Sequence, residues 1–290
     1  MTADGEVSTG GAGEGVAAFR PNFLIVHNST TTLSNALMRH SCCSHRSIQA
    51  QEMGVRPNGS TRASMVSFYQ FQGPSKYDLL ADFGAVLEQL KYSACPAGGQ
   101  HGKTCRRIGQ LHCVVKHNDR QEHIIWGREI AVHESVSERL ENEGFTGFRT
   151  QPAKVTFLDG QTSDEYREFT VTGWAGVVHP ESGMRVLESC PGCLWKNYGP
   201  IVDFGKVIDW DQWTGEDFFF VWPLTGHRLC TERAARWLET SGIRSFVLGR
   251  GFELLERKRN SLNFGIPRGA LSEVLPEDLA LKYGKPLGLE

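Results

Sequence analysis

The chain of 290 residues carries 31 Lys and Arg against 33 Asp and Glu, a formal net charge of −2, and 40% of it falls in the AVILMFWYC set. Such a length allows one large domain or two modest ones, and charge this balanced supplies no global field to gather nucleic acid or an acidic membrane. The proportions also exclude collagen-like, wholly disordered and multi-span membrane classes.

Met1 to Val16 holds five Gly among small and acidic residues, too little apolar area to offset the entropy of ordering, so residues 1–20 are expected to form a disordered tail. This end has no basic n-region and no apolar h-region, as a secretory signal requires, and no stretch of the chain reaches the ~20 apolar residues of a membrane helix. A cytoplasmic protein without membrane insertion is the expectation. Residues 23–69 are rich in Ser, Thr, Asn and Arg and include the pair Cys42-Cys43. Leu79, Leu80, Phe83, Val86, Leu87 and Leu90 then recur at three- and four-residue spacing, which predicts an amphipathic helix over Asp78 to Lys91. A Gly/Lys/Arg-rich loop follows Cys95-Pro96, and Leu111 to Lys116 reads as a short strand.

Sliding the chain against itself uncovers two similar segments 98 residues apart. The first runs from Ile124-Ile125-Trp126 through Ile130-Ala131-Val132 and Glu134 to Glu141, closing on Gly144-Phe145-Thr146-Gly147-Phe148. The second runs from Phe218 to Trp222 through Leu229-Cys230 and Thr231 to Glu239, closing on Gly242-Ile243-Arg244-Ser245-Phe246. Val136 aligns with Ala234, Leu140 with Leu238, Gly144 with Gly242 and Phe148 with Phe246. Each segment reads as an apolar strand, a polar helix start at His133 or Thr231, acids in the first turn, a left-handed Gly stop and a returning strand. The expectation is an α+β or mixed α/β protein of two related strand-helix-strand units packed into one body. Its parts are an N-terminal unit over 21–160, a C-terminal unit over 161–256 and a tail over 257–290 that drapes over the surface. Glu168 to Thr172 and Met184 to Leu187 read as further strands, and Glu277 to Leu281 as a helical turn.

Cys190-Pro191-Gly192-Cys193 is the sharpest local pattern in the chain. Two thiolates across a Pro-Gly turn can supply half of a tetrahedral zinc site, in the manner of a zinc-ribbon turn. Cys95, His101, Cys105, His112 and Cys113 are the candidates to complete it, with Cys95 and Cys105 the chosen pair. A redox dithiol and a reduced structural turn are the competing readings, the former weakened because Leu194 to Pro200 does not continue as a helix that would activate a thiol. Ala97 to Thr104 matches a permissive phosphate-loop pattern but lacks the preceding buried strand and following helix that pattern needs. The chain has no Gly-x-Ser-x-Gly elbow and no His-Glu-x-x-His; His133 and His179 read as caps or turn residues, and the tryptophans of the second half read chiefly as core.

Gly173-Trp174-Ala175-Gly176, the Cys190 to Cys193 turn, Trp213 to Leu224, Thr231-Glu232-Arg233 and Gly242 together resemble the double-CXXCG motif family of myxobacteria and related bacteria. The similarity spans residues 165–250 and, less fully, 120–157. Some members of that family are immunity proteins that protect a cell from a kin-discrimination toxin. The resemblance therefore implies a non-catalytic protein that neutralises a cognate protein toxin by direct binding, with joint use of paired cysteine motifs for metal. Leu194 stands where the motif has Gly, and Cys95 and Cys105 take the place of a second Cys-x-x-Cys. A zinc-dependent enzyme built on Cys190 and Cys193, a nucleotide-using enzyme built on Lys103 and Thr104, and a structural zinc-ribbon module are the alternatives.

Overall fold

The computed structural model describes residues 67–74, 90–93, 95, 104–107, 109–121, 123–127, 129–257 and 266–289. They lie within one unit of the chain, Arg62–Glu290; Met1–Thr61, with the expected tail and Cys42-Cys43, is outside them, as are residues 78–89 of the expected helix.

The two similar segments fold alike. In the first, strands β5 (Ile124–Trp126) and β6 (Ile130–His133) lead into helix α1 (Glu134–Asn142), and β7 (Phe148–Thr156) follows. In the second, β12 (Phe218–Trp222) and β13 (Arg228–Thr231) lead into α2 (Glu232–Thr240), and β14 (Val247–Arg250) follows. Both helices have nine residues, and their starts are 98 positions apart, the same offset as in the sequence. His133 and Thr231 cap them, accepting from the Ser135 and Ala234 amides respectively, and so satisfy donors that a helix start leaves without partners. Gly144 and Gly242 end them at φ +68 and +76, and the next left-handed positions, Gly147 and Ser245, are again 98 apart. After α1 the Phe145 amide reaches the Leu140 carbonyl and the Gly144 amide that of Glu141, the paired bonds of a Schellman stop.

Each unit is completed by a strand from outside its segment. Between β6 and β7 lies β8 (Thr162–Val171), which follows them in the chain; between β13 and β14 lies β1 (Phe68–Gln72), which precedes them. The resulting order β5-β6-β8-β7 matches β12-β13-β1-β14, with every adjacent pair antiparallel in both. A fifth strand joins each sheet in parallel, β4 (Leu111–Val114) beside β7 and β9 (Gly173–Val177) beside β12. The protein is thus α+β with two five-stranded sheets.

Alternation along the strands divides the core into layers. Ile124, Trp126, Ile130 and Val132 of the first sheet share one cluster with Phe218, Phe220, Trp222 and Cys230 of the second, together with Val136 and Leu140 of α1 and Ala234 and Leu238 of α2. The opposite faces hold smaller clusters: Ile125, Ala131, Ala153 and Tyr166 on the first sheet, and Phe219, Val221, Leu229 and Ala175 on the second. Trp126, Trp174 and Trp222 are buried, as large aromatics in a core should be.

Two expectations are corrected. Leu90–Ser93 is a strand, β2, paired antiparallel with β3 (Thr104–Arg107), so the helix expected over Asp78 to Lys91 does not reach its end. The segment after 257 does not merely drape over the surface. Beyond β15 (Ile266–Arg268), Leu271, Leu275, Ala280 and Leu289 enter the central cluster, the latter two on or after α3 (Glu277–Gly284). Scattered leucines without a sustained period gave no sign of this, because the chain crosses the core in short turns.

Candidate metal centre and polar cavity

Strands β10 (Val186–Ser189) and β11 (Lys196–Tyr198) form a hairpin in a three-stranded sheet with β15, and Cys190 to Trp195 is its loop. The Cys190 amide bonds to the Trp195 carbonyl at 2.8 Å, closing the loop across its neck. The Trp195 amide in turn bonds to Cys193. Leu194 lies at φ +59, a left-handed conformation that costs a β-carbon-bearing residue about 1 kcal/mol or more.

Cys95, just beyond β2, is brought against this loop, and its Sγ is 3.5 Å from that of Cys190. The ligand atoms of Cys95, Cys190 and Cys193 all lie within 4.8 Å of one another, Cys190 buried and the other two half-buried. Four sulfurs around a tetrahedral zinc at ~2.3 Å would be about 3.8 Å apart, so this spacing suits a shared ion. Three cysteines thus converge in a group that can hold a metal ion. Burial pushes the Cys193 thiol up to about 11, with the neighbouring Cys95 and Cys190 adding to the push and the Trp195 amide opposing it.

The other sequence candidates fall elsewhere. Cys105 is on β3 opposite Tyr92, its side chain outside the described set, and His101 is also outside it. His112 bonds the Thr156 hydroxyl at 2.8 Å. Cys113 is a core residue of the first sheet's outer cluster, its thiol pushed up to about 12 by burial and, less, by Glu168. Thr104 opens β3, so the residues after Lys103 form a strand and supply no helix N-terminus for a phosphate. His133 and His179 are caps.

Sequence reasoning missed a second feature. A cavity of about 630 Å³ is lined by Arg107, Glu129, Gln151, Glu168, Arg228 and Glu273, with Phe169 and Phe220 also in its wall. Glu168 is 4% exposed, bonded by the Arg107 guanidinium and by the Gln151 amide at 2.5 Å. Arg107 Nε is buried without a hydrogen-bond partner. Burial holds the Arg228 guanidinium below its ordinary value while Glu129 draws it back up. Glu168 shares its strand with the charged Asp164, Glu165 and Arg167, so its own charge gave no signal of this.

No family model matches the chain, and no curated protein matches it either.

Proposed function

We propose that this protein is a non-catalytic binding protein in which Cys95, Cys190 and Cys193 hold a structural zinc ion. The observation that carries the metal is the convergence of three sulfurs from two segments 95 residues apart. A clip closing so long a loop restricts the unfolded chain strongly, which is how a structural ion stabilises a fold. The loop's own geometry supports a structural role over a redox one: Cys190 stands in a hairpin and not at the start of a helix. With zinc bound, the ion would fix the β10–β11 hairpin to the end of β2, and Cys105 is the candidate for a fourth ligand.

As an immunity-like protein, it would occlude a cognate toxin by surface complementarity, for which aromatic and charged anchors suffice. The support for this is the sequence resemblance. Protein purified without chelator should contain one zinc per chain, and Cys190→Ser should lose it while Cys113→Ser keeps it. Zinc retained equally by both variants, or absent from the unaltered protein, defeats the metal centre. Pull-down from the native host should recover a protein encoded nearby; recovery of metabolic ligands alone counts against the binding role.

The polar cavity favours a second reading, a site for a small polar ligand that could belong to an enzyme. Measured turnover of a small molecule, abolished by Glu168→Gln, would replace the binding role with it.

A further inference from the structure

The two units contact each other through equivalent junctions that differ in charge. The amide of Thr231 bonds to the carbonyl of Asp217, and the amide of His133 to that of His123, so Asp217 and His123 occupy matching places before the first strand of each unit. Thr146, after α1, donates its amide to the Asp217 carboxylate at 3.2 Å; Arg244, after α2 and 98 residues on, donates its amide to His123 Nδ1 at 3.3 Å. The exchange is reciprocal: each unit's helix turn bonds the other unit's entry residue.

At the second unit's junction the anion is built in. Asp217, with its side chain 11% exposed, accepts from Thr146, from the Thr231 hydroxyl at 3.0 Å and from Arg233 at 3.0 Å. At the first unit's junction the carboxylate is replaced by imidazole, and the place opens into a cavity of about 290 Å³ lined by Arg120, His123, His133, Ser135 and Arg244. Because His123 Nδ1 accepts a backbone amide, the proton of the neutral ring sits on Nε2, leaving a donor. His133 is engaged by Ser135 at 2.9 Å and lies 3.9 Å from Glu165, and Arg120 pairs with Asp159 at 2.6 Å. Arg244 contributes a further cation to the lining.

We propose that this pocket binds an oxyanion, a carboxylate or a phosphate carried by a ligand, beside the His123 imidazole that stands where the matching junction holds Asp217. Thr146, Thr231 and Arg233, which serve the internal anion in one copy, correspond at the 98-residue offset to Arg244, His133 and Ser135, and here these line open volume. Charge-assisted hydrogen bonds from guanidinium and imidazole are the strong kind, and Arg suits the planar or tetrahedral oxygens of either source. This inference does not depend on the cysteine cluster or on the binding role.

The test uses the whole protein at constant ionic strength, titrated separately with inorganic phosphate and with acetate while His123 is followed by NMR; chloride is the control. Saturable shifts of the His123 ring are expected with at least one of the two, and Arg244→Ala should weaken binding about tenfold, the scale of one lost charged hydrogen bond. A preference for phosphate points to a phosphoryl ligand, and a preference for acetate to an acidic side chain. Arg120→Gln, on the rim, should weaken binding less. Response to neither anion beyond chloride, or unchanged binding in both variants, overturns the proposal.

Discussion

The two units share the spatial order of four strands and the placement of a helix, yet they treat one buried position in opposite ways. Glu168 of β8 faces Ala131, and Gln70 of β1 faces Leu229, so the two polar residues are matched in the middle strand of each unit. Gln70 is closed in by its own chain, its amide bonded to His227 at 2.8 Å and its oxygen to the Leu255 amide at 3.1 Å. Glu168 instead borders the larger cavity. The framework tolerates a polar group in mid-sheet provided partners are supplied, and the two copies spend that tolerance differently: one on internal satisfaction, the other on a cavity wall. The same contrast holds between Asp217 and His123.

If the units form one cooperative body around a shared core, matched core deletions should cost alike. Leu140 and Leu238, each 2% exposed and both in the central cluster, are the sharpest pair. Leu140→Ala and Leu238→Ala should each lose about 2–5 kcal/mol, read as a shifted midpoint of a single urea transition with unchanged slope. Two separate transitions, or a loss confined to one variant, would break the equivalence.

The junctions should break it on purpose. Asp217→Ala removes a nearly buried carboxylate that serves Thr146, Thr231 and Arg233, and should cost about 2–3 kcal/mol. His123→Ala removes one acceptor of a backbone amide and should cost under about 1 kcal/mol. Equal losses would mean that the first junction is as internally satisfied as the second.

A smaller effect concerns the β10–β11 hairpin. Leu194→Gly should stabilise the protein by about 1 kcal/mol, because it relieves the left-handed conformation at φ +59. The increase in urea midpoint should accompany unchanged or tighter zinc binding. A decrease would show that the Leu194 side chain contributes packing that outweighs its backbone cost.

Much of this architecture was written locally. The 98-residue offset, the caps His133 and Thr231 and the stops Gly144 and Gly242 follow from short-range chemistry, in which neighbours along the chain decide the conformation. The middle strands were not legible as equivalents, since β8 follows its unit and β1 precedes its own, and no alignment of contiguous segments relates them. The cysteines were legible as candidates because thiols carry their chemistry in their identity. That Cys95 joins Cys190 and Cys193, while Cys113 stays in a core, depends on strand pairing over long separations. Glu168 and Arg107 meet across 61 residues, and nothing in either local sequence announces the meeting.

The smallest expected effect is a pH dependence that separates the junctions without changing a core residue. Burial, then the positive charges of His133, Arg244 and Arg139, hold the His123 imidazole below its ordinary value, with Asp119 pulling the other way. The unfolded chain, with histidine near ~6.5, therefore takes up the proton first as pH falls. In that window it binds more protons than the folded protein, so stability is retained above about pH 6.5 and declines as the pH drops below it. His123→Gln keeps a side chain able to accept the Arg244 amide and cannot titrate, so its stability should fall less between neutral and mildly acidic pH. Urea midpoints of the two proteins across that range, at fixed salt, should converge on acidification from a gap set at neutrality; parallel curves would show that neither burial nor the neighbouring positive charges lower the His123 imidazole. An oxyanion in the pocket should oppose the same decline in the unaltered protein, because the added negative charge makes protonated His123 less costly to keep folded.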